Sequence, residues 1–363
     1  MGDRRVRVLC GIAAGVATGC ALLGVYLCKR SLPARSHEKA KELIEHDGGK
    51  AVRSTDGLRT VEYFVAGSML PTARVCIIFS GAAVTAKYVA HLVHATAERL
   101  NTRVIAITLP GWGYSTIHRR LVYSEWAATD LKPILEAEKV RRFAVAGTSL
   151  GCPFAMAVAA ALGPSYILAL GLRVPFLPKA ITDEVGLPEY PAHLPDTLLS
   201  DALPYGWAAH LAMLPLFHPW LVGAFDRLRQ GAAHKKCRSD YPDEFDLAYH
   251  DMKRGTAVYG YRAMMASLRR STVLDWGFDP REIRVSKKLV WYAADDADCP
   301  PSHGRWLADH FAANAVSERD VKVRIFDGYG HLGGACFEWH AFLEDLMGQV
   351  AAGAPKASML TRC

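Results

Sequence analysis

The run Gly147-Thr148-Ser149-Leu150-Gly151 sets a hydroxyl between two glycines. A serine oxygen is a weak nucleophile at neutral pH and becomes useful only beside a base that takes its proton. The Gly-x-Ser-x-Gly spacing has a mechanical reading. On a sharp strand-to-helix turn, the residues two before and two after the serine crowd its backbone, so glycine is favoured at 147 and 151. The neighbours fit that turn: Phe143–Gly147 reads as a buried strand, Leu150–Leu162 is an apolar, alanine-rich helix, and Pro153 suits a first helical turn. Such a helix aims its N-terminal N–H groups, and the positive end of its dipole, at a developing oxyanion. The chemistry this predicts is nucleophilic attack on a carbonyl carbon.

A nucleophile at such an elbow takes its partners from further along the chain, acid first and then histidine. The last strand candidate, Lys322–Phe326, runs into Asp327-Gly328-Tyr329-Gly330-His331, which places His331 on an exposed glycine-rich loop as the base. His303 and His310 fall in a predicted helix and His340 follows an aromatic face, positions that suit surface or packing histidines. The preceding strand ends in Ala294-Asp295-Asp296-Ala297-Asp298-Cys299-Pro300 and offers three carboxylates. Asp296, four residues before Pro300, is the preferred acid, with Asp298 and Asp295 as alternatives. Its task is to accept the imidazole N–H and stabilise imidazolium. Cys152, Cys299 and Cys336 lie close by in sequence and read as small buried hydrophobes.

Positioning these groups takes a sheet. Strands are expected at Thr60–Val65, Val75–Ser80, Arg103–Thr108, Phe143–Gly147, Ile167–Arg173, Lys288–Ala293 and Lys322–Phe326. Several are uninterrupted apolar runs of the kind buried on both faces of a parallel sheet. Lys87–Leu100 and Ser124–Glu138 show helical periodicity between them. The fold class is therefore α/β, with a mostly parallel central sheet and helices on both faces. The alternation stops at about Val174 and resumes near Val285, so 174–285 is assigned as a helical cap, with Trp207–Leu214 and Ala257–Arg270 as amphipathic helices. Residues 57–173 and 286–355 form the core, 31–56 a linker and 356–363 a C-terminal tail.

The chain has 363 residues, 51% of them hydrophobic, and a net charge of +7. That charge is concentrated rather than spread: Arg4, Arg5, Arg7, Lys29 and Arg30 stand against Asp3 alone in residues 1–30. Nucleic acid is therefore a poor partner for this chain. Between these charges, the 21 residues Val8–Cys28 carry none, enough to span a hydrocarbon core of about 30 Å. Residues 1–30 are assigned as an N-terminal transmembrane anchor, longer than the apolar region of a signal peptide. Gly11, Gly15 and Gly19 are spaced for close approach of two such helices, hence a possible homodimer. The larger number of basic residues after the span favours a cytosolic catalytic domain. Nine cysteines, three of them within the span, imply no disulfide framework.

Taken together, Gly147–Gly151, Asp296 with Pro300, Gly330-His331 and the run Leu109-Pro110-Gly111-Trp112-Gly113-Tyr114-Ser115 resemble the α/β-hydrolase superfamily, in its branch of capped esterases and lipases, over residues 58–350. The Pro-Gly run is similar to that family's tight turn after the fourth strand. The resemblance implies an oxyanion hole from the backbone N–H groups of Leu150 and Ala82. This chain has Ser80-Gly81 where the family usually has His-Gly, and Thr108 where an aspartate is common. It further implies hydrolysis of a carboxylic ester, with lipid esters and thioesters among the candidates, through an acyl-enzyme and without metal or organic cofactor. Serine rather than aspartate at position 149 argues against an epoxide hydrolase or dehalogenase. A small acyl compound or a lipid is the expected substrate, the latter suggested by the anchor and by Trp207, Leu211, Met213, Leu216, Phe217, Trp220 and Leu221 in the cap. A peptidase or acyltransferase of the same fold, and a non-catalytic binding protein, are the alternatives.

Overall fold

Apolar runs that alternate between two faces build the sheet. In the computed structural model, which describes residues 36–118, 122–188, 231–259, 261–272 and 275–353, Ile77, Phe79, Ile105, Ile107 and Val145 point into one core. Their neighbours Cys76, Ile78, Val104, Ala106, Ala144 and Ala146 point into a second core on the opposite face. These central strands thus bury both sides, which is why they read as continuous apolar runs. The strands are β1 (Lys50–Arg53), β2 (Thr60–Gly67), β3 (Arg74–Phe79), β4 (Thr102–Ile107), β5 (Phe143–Thr148), β6 (Ile167–Arg173), β7 (Lys288–Ala293) and β8 (Val321–Phe326). They lie in the order β1-β2-β4-β3-β5-β6-β7-β8, and only the pairings of β2 with β1 and with β4 are antiparallel. The seven expected strands form within two residues of the expected limits.

The eighth strand corrects the assignment of 31–56 as a linker. Helix His37–His46 buries Ala40 and Ile44, and β1 then pairs along β2 from Lys50–Tyr63 to Arg53–Thr60. These residues belong to the folded domain. A four-residue edge strand bounded by Lys50 and Arg53 is only partly buried, so it carries no hydrophobic alternation to read. The expected helix 124–138 is wound as Tyr123–Trp126 and Lys132–Ala137 around a π-helical turn, Ala127–Leu131. In that turn the buried Asp130 accepts a hydrogen bond from Arg59 Nε at 3.1 Å. The helix that begins at Cys152 loses helical geometry at Gly163 (φ +62°), which agrees with its expected end at Leu162.

Both ends of the 174–285 insertion pack into the main core through Phe176, Leu177, Trp276, Ile283 and Val285. Between them stand helices Lys179–Val185, 231–240, Pro242–Thr256 and Tyr261–Thr272. The expected helix at 257–270 therefore begins and ends later. No helix among the described residues is long and apolar enough to cross a membrane. The expected span Val8–Cys28 with Gly11, Gly15 and Gly19, the tail 356–363 and the aromatic stretch 207–221 lie outside the described residues.

Candidate active site

The serine stands where β5 ends. Thr148 is still extended, Ser149 turns to φ +49°, and a 3-10 turn Ser149–Gly151 feeds the helix Cys152–Tyr166. A left-handed conformation at a non-glycine residue costs on the order of 1–3 kcal/mol and persists only where surrounding packing imposes it. The flanking glycines supply that packing. A Cβ on Gly147 would stand 2.3 Å from the carbonyl oxygen of Gly151, and one on Gly151 would stand 2.5 Å from that of Ser80. Ser149 itself is 3% exposed.

Three expected residues come together although they are spread over 183 positions of sequence. Ser149 Oγ is hydrogen-bonded to His331 Nε2 at 2.9 Å, and His331 Nδ1 to Asp296 Oδ2 at 2.8 Å. The other Asp296 oxygen accepts the backbone N–H groups of Asp298 and Cys299, both at 2.8 Å, which fixes the carboxylate plane toward the imidazole. Asp295, weighed as an alternative acid, instead accepts the backbone N–H of Gly330 with both oxygens at 3.1 Å and so tethers the residue before His331. Burial alone would depress the His331 pKa, but the Asp296 charge and the hydrogen bond that Asp296 accepts from Nδ1–H outweigh it and hold it well above the ordinary histidine value. The competing histidines are placed as expected for packing and surface roles. His303 is fully buried between the Leu177 N–H and the Pro188 carbonyl, and His310 stacks on Trp306.

One expectation fails: His331 is not on an exposed loop but in the first turn of a short helix, Gly330–Cys336. Gly328 (φ +79°) and Gly330 (φ +57°) make the turn that precedes it. The C-terminal half of this helix is held from beneath by β5 and β6. Thr148 Oγ1 donates to the Ala335 carbonyl at 3.1 Å, and the fully buried Arg173 donates to the carbonyls of Gly334 (3.1 Å) and Phe337. A guanidinium at this end also complements the helix dipole. Burial lowers the Arg173 pKa to about 10, so it stays charged at neutral pH, 4.4 Å over the Trp339 ring. An arginine at the end of an apolar strand was the available signal in the sequence. Its partners, which are backbone carbonyls more than 160 residues away, left none.

The Ser80–Thr85 loop runs beside the nucleophile. A Cβ on Gly81 would lie 3.8 Å from that of Ser149, which puts the residue before Ala82 beside the nucleophile. Ser80 turns its hydroxyl away, to the Ile107 carbonyl at 3.2 Å. Thr108 accepts the Ala86 N–H at 2.9 Å and so anchors the helix that follows the loop. The insertion grips the same loop from the other side. Asp251 accepts both the N–H (2.5 Å) and the hydroxyl (2.8 Å) of Thr85, and Gly255 lies so close to the Ala83 carbonyl that a Cβ would sit 1.8 Å from that oxygen. Ala83 is itself left-handed at φ +64°. Next to these, Arg254 reaches the fully buried Glu62 at 2.5 Å and Asp47 at 2.6 Å, while Glu62 accepts the Tyr114 N–H of the Pro-Gly turn at 2.8 Å. Asp251, Gly255 and Glu62 were not singled out in the sequence, because isolated acids and a glycine in a helix carry no pattern.

Cys152, Cys299 and Cys336 are buried in the two cores, as expected. Cys152 donates to the carbonyls of Gly147 and Arg173 within its own packing layer. The buried Cys299 packs in the same core, and its thiol lies close to His331 and Asp296. With Asp296 and His331 it brings oxygen, sulfur and nitrogen donors within 4.8 Å of one another.

A hydroxyl bonded to an imidazole that is in turn bonded to a buried carboxylate can deliver an alkoxide-like oxygen to a carbonyl carbon and return the proton to a leaving group. Solved structures with similar folds include an esterase from a Rhodococcus species. It is 17% identical over 84% of this chain and 98% of that one, with a TM-score of 0.59. A carboxylesterase of the thaumarchaeon Nitrososphaera gargenis is 13% identical over 84% and 100% of the two chains (TM-score 0.56). A bacterial membrane phospholipase A is 15% identical over 95% and 99% (TM-score 0.51). No curated protein sequence matches. The family model described as "Alpha/beta hydrolase family" spans residues 78–346, a stretch holding Ser149, Asp296 and His331, so the chain belongs to the alpha/beta hydrolase family.

Proposed function

We propose that the protein is a serine hydrolase of carboxylic esters in which Ser149 is the nucleophile, His331 the general base and acid, and Asp296 the group that orients the imidazole. The observation that carries this reading is the hydrogen-bonded chain Ser149 Oγ, His331 Nε2, His331 Nδ1, Asp296 Oδ2, with links of 2.9 and 2.8 Å. In the reaction, Ser149 Oγ attacks the ester carbonyl carbon as His331 Nε2 takes its proton. The backbone N–H groups of Leu150 and Ala82 receive the oxyanion, and His331 then protonates the departing alcohol. Water, deprotonated by His331, releases the acid from the acyl-enzyme. Asp296 keeps Nδ1 protonated throughout, which leaves Nε2 free to accept.

The same proposal places the enzyme at a membrane. Its support is the uncharged stretch Val8–Cys28, which ends eight residues before the first described residue. An active site tethered this near a bilayer suits an acyl substrate that partitions into lipid, with the catalytic domain on the cytosolic side. The test is labelling of the full chain with a fluorophosphonate probe. The wild type is expected to be labelled and Ser149→Ala is not; a folded wild type that stays unlabelled would overturn the reading in favour of a binding protein.

A further inference from the structure

Hydrolysis, as derived above, gives no task to the Cys299 thiol. It is nevertheless buried with Asp296 and lies beside the imidazole. Asp296, Cys299 and His331 each offer one donor atom, and all three lie within 4.8 Å of one another. In a tetrahedral zinc site, with bonds of about 2.0–2.1 Å to nitrogen or oxygen and about 2.3 Å to sulfur, ligand atoms stand about 3.3–3.8 Å apart. Pairs at the outer limit would close by about 1.5 Å to meet that geometry, whereas Nδ1 and the Asp296 oxygen, 2.8 Å apart, would part by about 0.5 Å if both were ligands. The set is mixed nitrogen, sulfur and oxygen, which suits a borderline-soft ion such as zinc and not magnesium or calcium, whose shells are oxygen.

We propose that Asp296, Cys299 and His331 form an inhibitory site for a soft divalent cation, zinc being the best match. Water would fill the fourth position on the exposed side, where the His331 side chain retains 16% of its accessible surface. Binding exchanges one bond for another without redox chemistry. The thiol releases its proton to solvent, and the ring nitrogen that binds gives up any proton it carries, to solvent from the imidazolium or to the other ring nitrogen from the neutral ring; sulfur and that nitrogen then each give a lone pair to the ion, and the carboxylate supplies one oxygen. Whichever ring nitrogen is taken, His331 loses either its bond to Ser149 or its bond to Asp296, and the proton relay is interrupted. This consequence rests on the serine-hydrolase reading; the binding itself does not.

Two measurements on the reduced full chain separate the two claims. Cobalt(II) added to the wild type is expected to give a thiolate-to-cobalt charge-transfer band in the near ultraviolet, absent from Cys299→Ser and weakened in His331→Gln, which retains the thiol. Zinc chloride is expected to inhibit ester hydrolysis and fluorophosphonate labelling, magnesium and calcium chlorides are not. Relative to each variant's own metal-free rate, the half-inhibiting zinc concentration should rise about 10–100-fold in Cys299→Ser. No cobalt–thiolate band in the wild type, or a Cys299→Ser variant inhibited at the wild-type zinc concentration, would overturn the site. A wild type that shows the band but neither hydrolyses esters nor takes the probe would overturn the hydrolase reading and leave the metal site standing.

Discussion

Replacing Asp296 with asparagine changes one atom and should reverse the direction of the proton relay. Asp296 Oδ1 accepts two backbone N–H groups at 2.8 Å, from Asp298 and Cys299. An asparagine must keep its carbonyl oxygen on that side, because the flipped amide would set an NH2 group against two donors and leave two buried N–H groups unpaired, at about 1–3 kcal/mol each. The amide NH2 then faces His331 Nδ1, where the carboxylate stood at 2.8 Å. To accept that bond Nδ1 must be bare, so the ring proton moves to Nε2, the nitrogen that faces Ser149. A protonated Nε2 cannot accept the serine proton. A wrong tautomer of this kind lowers kcat by about 10⁴-fold, or about 5.4 kcal/mol of transition-state stabilisation. Hydrolysis of a p-nitrophenyl ester and the rate of fluorophosphonate labelling both report it, with circular dichroism to show that the isosteric variant is folded. Asp298→Asn should keep most of the wild-type rate, because its backbone N–H, rather than its side chain, supports Asp296. The reasoning fails if Asp296→Asn stays within tenfold of wild type, about 1.4 kcal/mol, or if Asp298→Asn falls as far.

Because Asp296 holds the His331 pKa above the ordinary value of about 6.5, the rate should rise with pH through a midpoint above that value. The sign for stability is opposite. A histidine whose pKa is raised by folding stabilises fully below its unfolded pKa and loses that contribution as pH climbs through the folded one. A pH–rate profile with its midpoint below 6.5 would contradict the first half, and thermal unfolding of wild type against Asp296→Asn across the same pH range tests the second. Gly147→Ala should abolish activity and cost about 4 kcal/mol or more, since its Cβ meets backbone at 2.3 Å. Gly81→Ala, whose nearest atom would be Thr148 Cγ2 at 3.4 Å, should still fold; urea midpoints compare the two. Arg173→Met strands the carbonyls of Gly334 and Phe337, for a loss of about 1–3 kcal/mol each. Since those carbonyls anchor the helix that carries His331, kcat should fall more than KM rises. Asp251→Ala should lower stability by about 2–3 kcal/mol through the two lost bonds to Thr85. It too should act on kcat, because Thr85 closes the loop that bears Ala82.

What was legible in the sequence follows from where the information is local. The Ser149 elbow could be read because Gly147 is dictated by contacts within five residues, where the Cβ it lacks would meet Gly151 and Cys152, although the partners of Gly151 are the distant Phe79 and Ser80. The central strands could be read because both of their faces are buried, so apolar character is continuous. β1 could not, because a short edge strand with one partner needs little hydrophobicity. His331 stands after the last strand as its sequence position implies, but in a helix rather than an exposed loop. Gly328 and Gly330 suggested a loose loop, whereas their left-handed conformations only make the turn into a helix fixed at its far end by Arg173 and Thr148.

The same distinction explains the two departures from the family pattern. A histidine is expected near position 80 and an aspartate at 108, yet the roles open to those positions here are met by backbone and hydroxyl contacts. Ser80 ties to the Ile107 carbonyl, Thr108 to the Ala86 N–H, and the loop between them is clamped by Asp251 and Gly255 from the insertion. A loop pinned from outside does not need a distinctive residue of its own. The insertion therefore does more than cover the sheet edge, because helix Pro242–Thr256 holds the backbone that carries one of the two proposed oxyanion donors. Any movement of that helix that released Asp251 from Thr85 would loosen Ala82 while leaving Ser149, His331 and Asp296 in place. Catalytic rate and proton relay are thus separable in this fold, and variants at Asp251 and at Asp296 should differ in kind: the first weakens oxyanion stabilisation at every pH, the second shifts the pH profile itself.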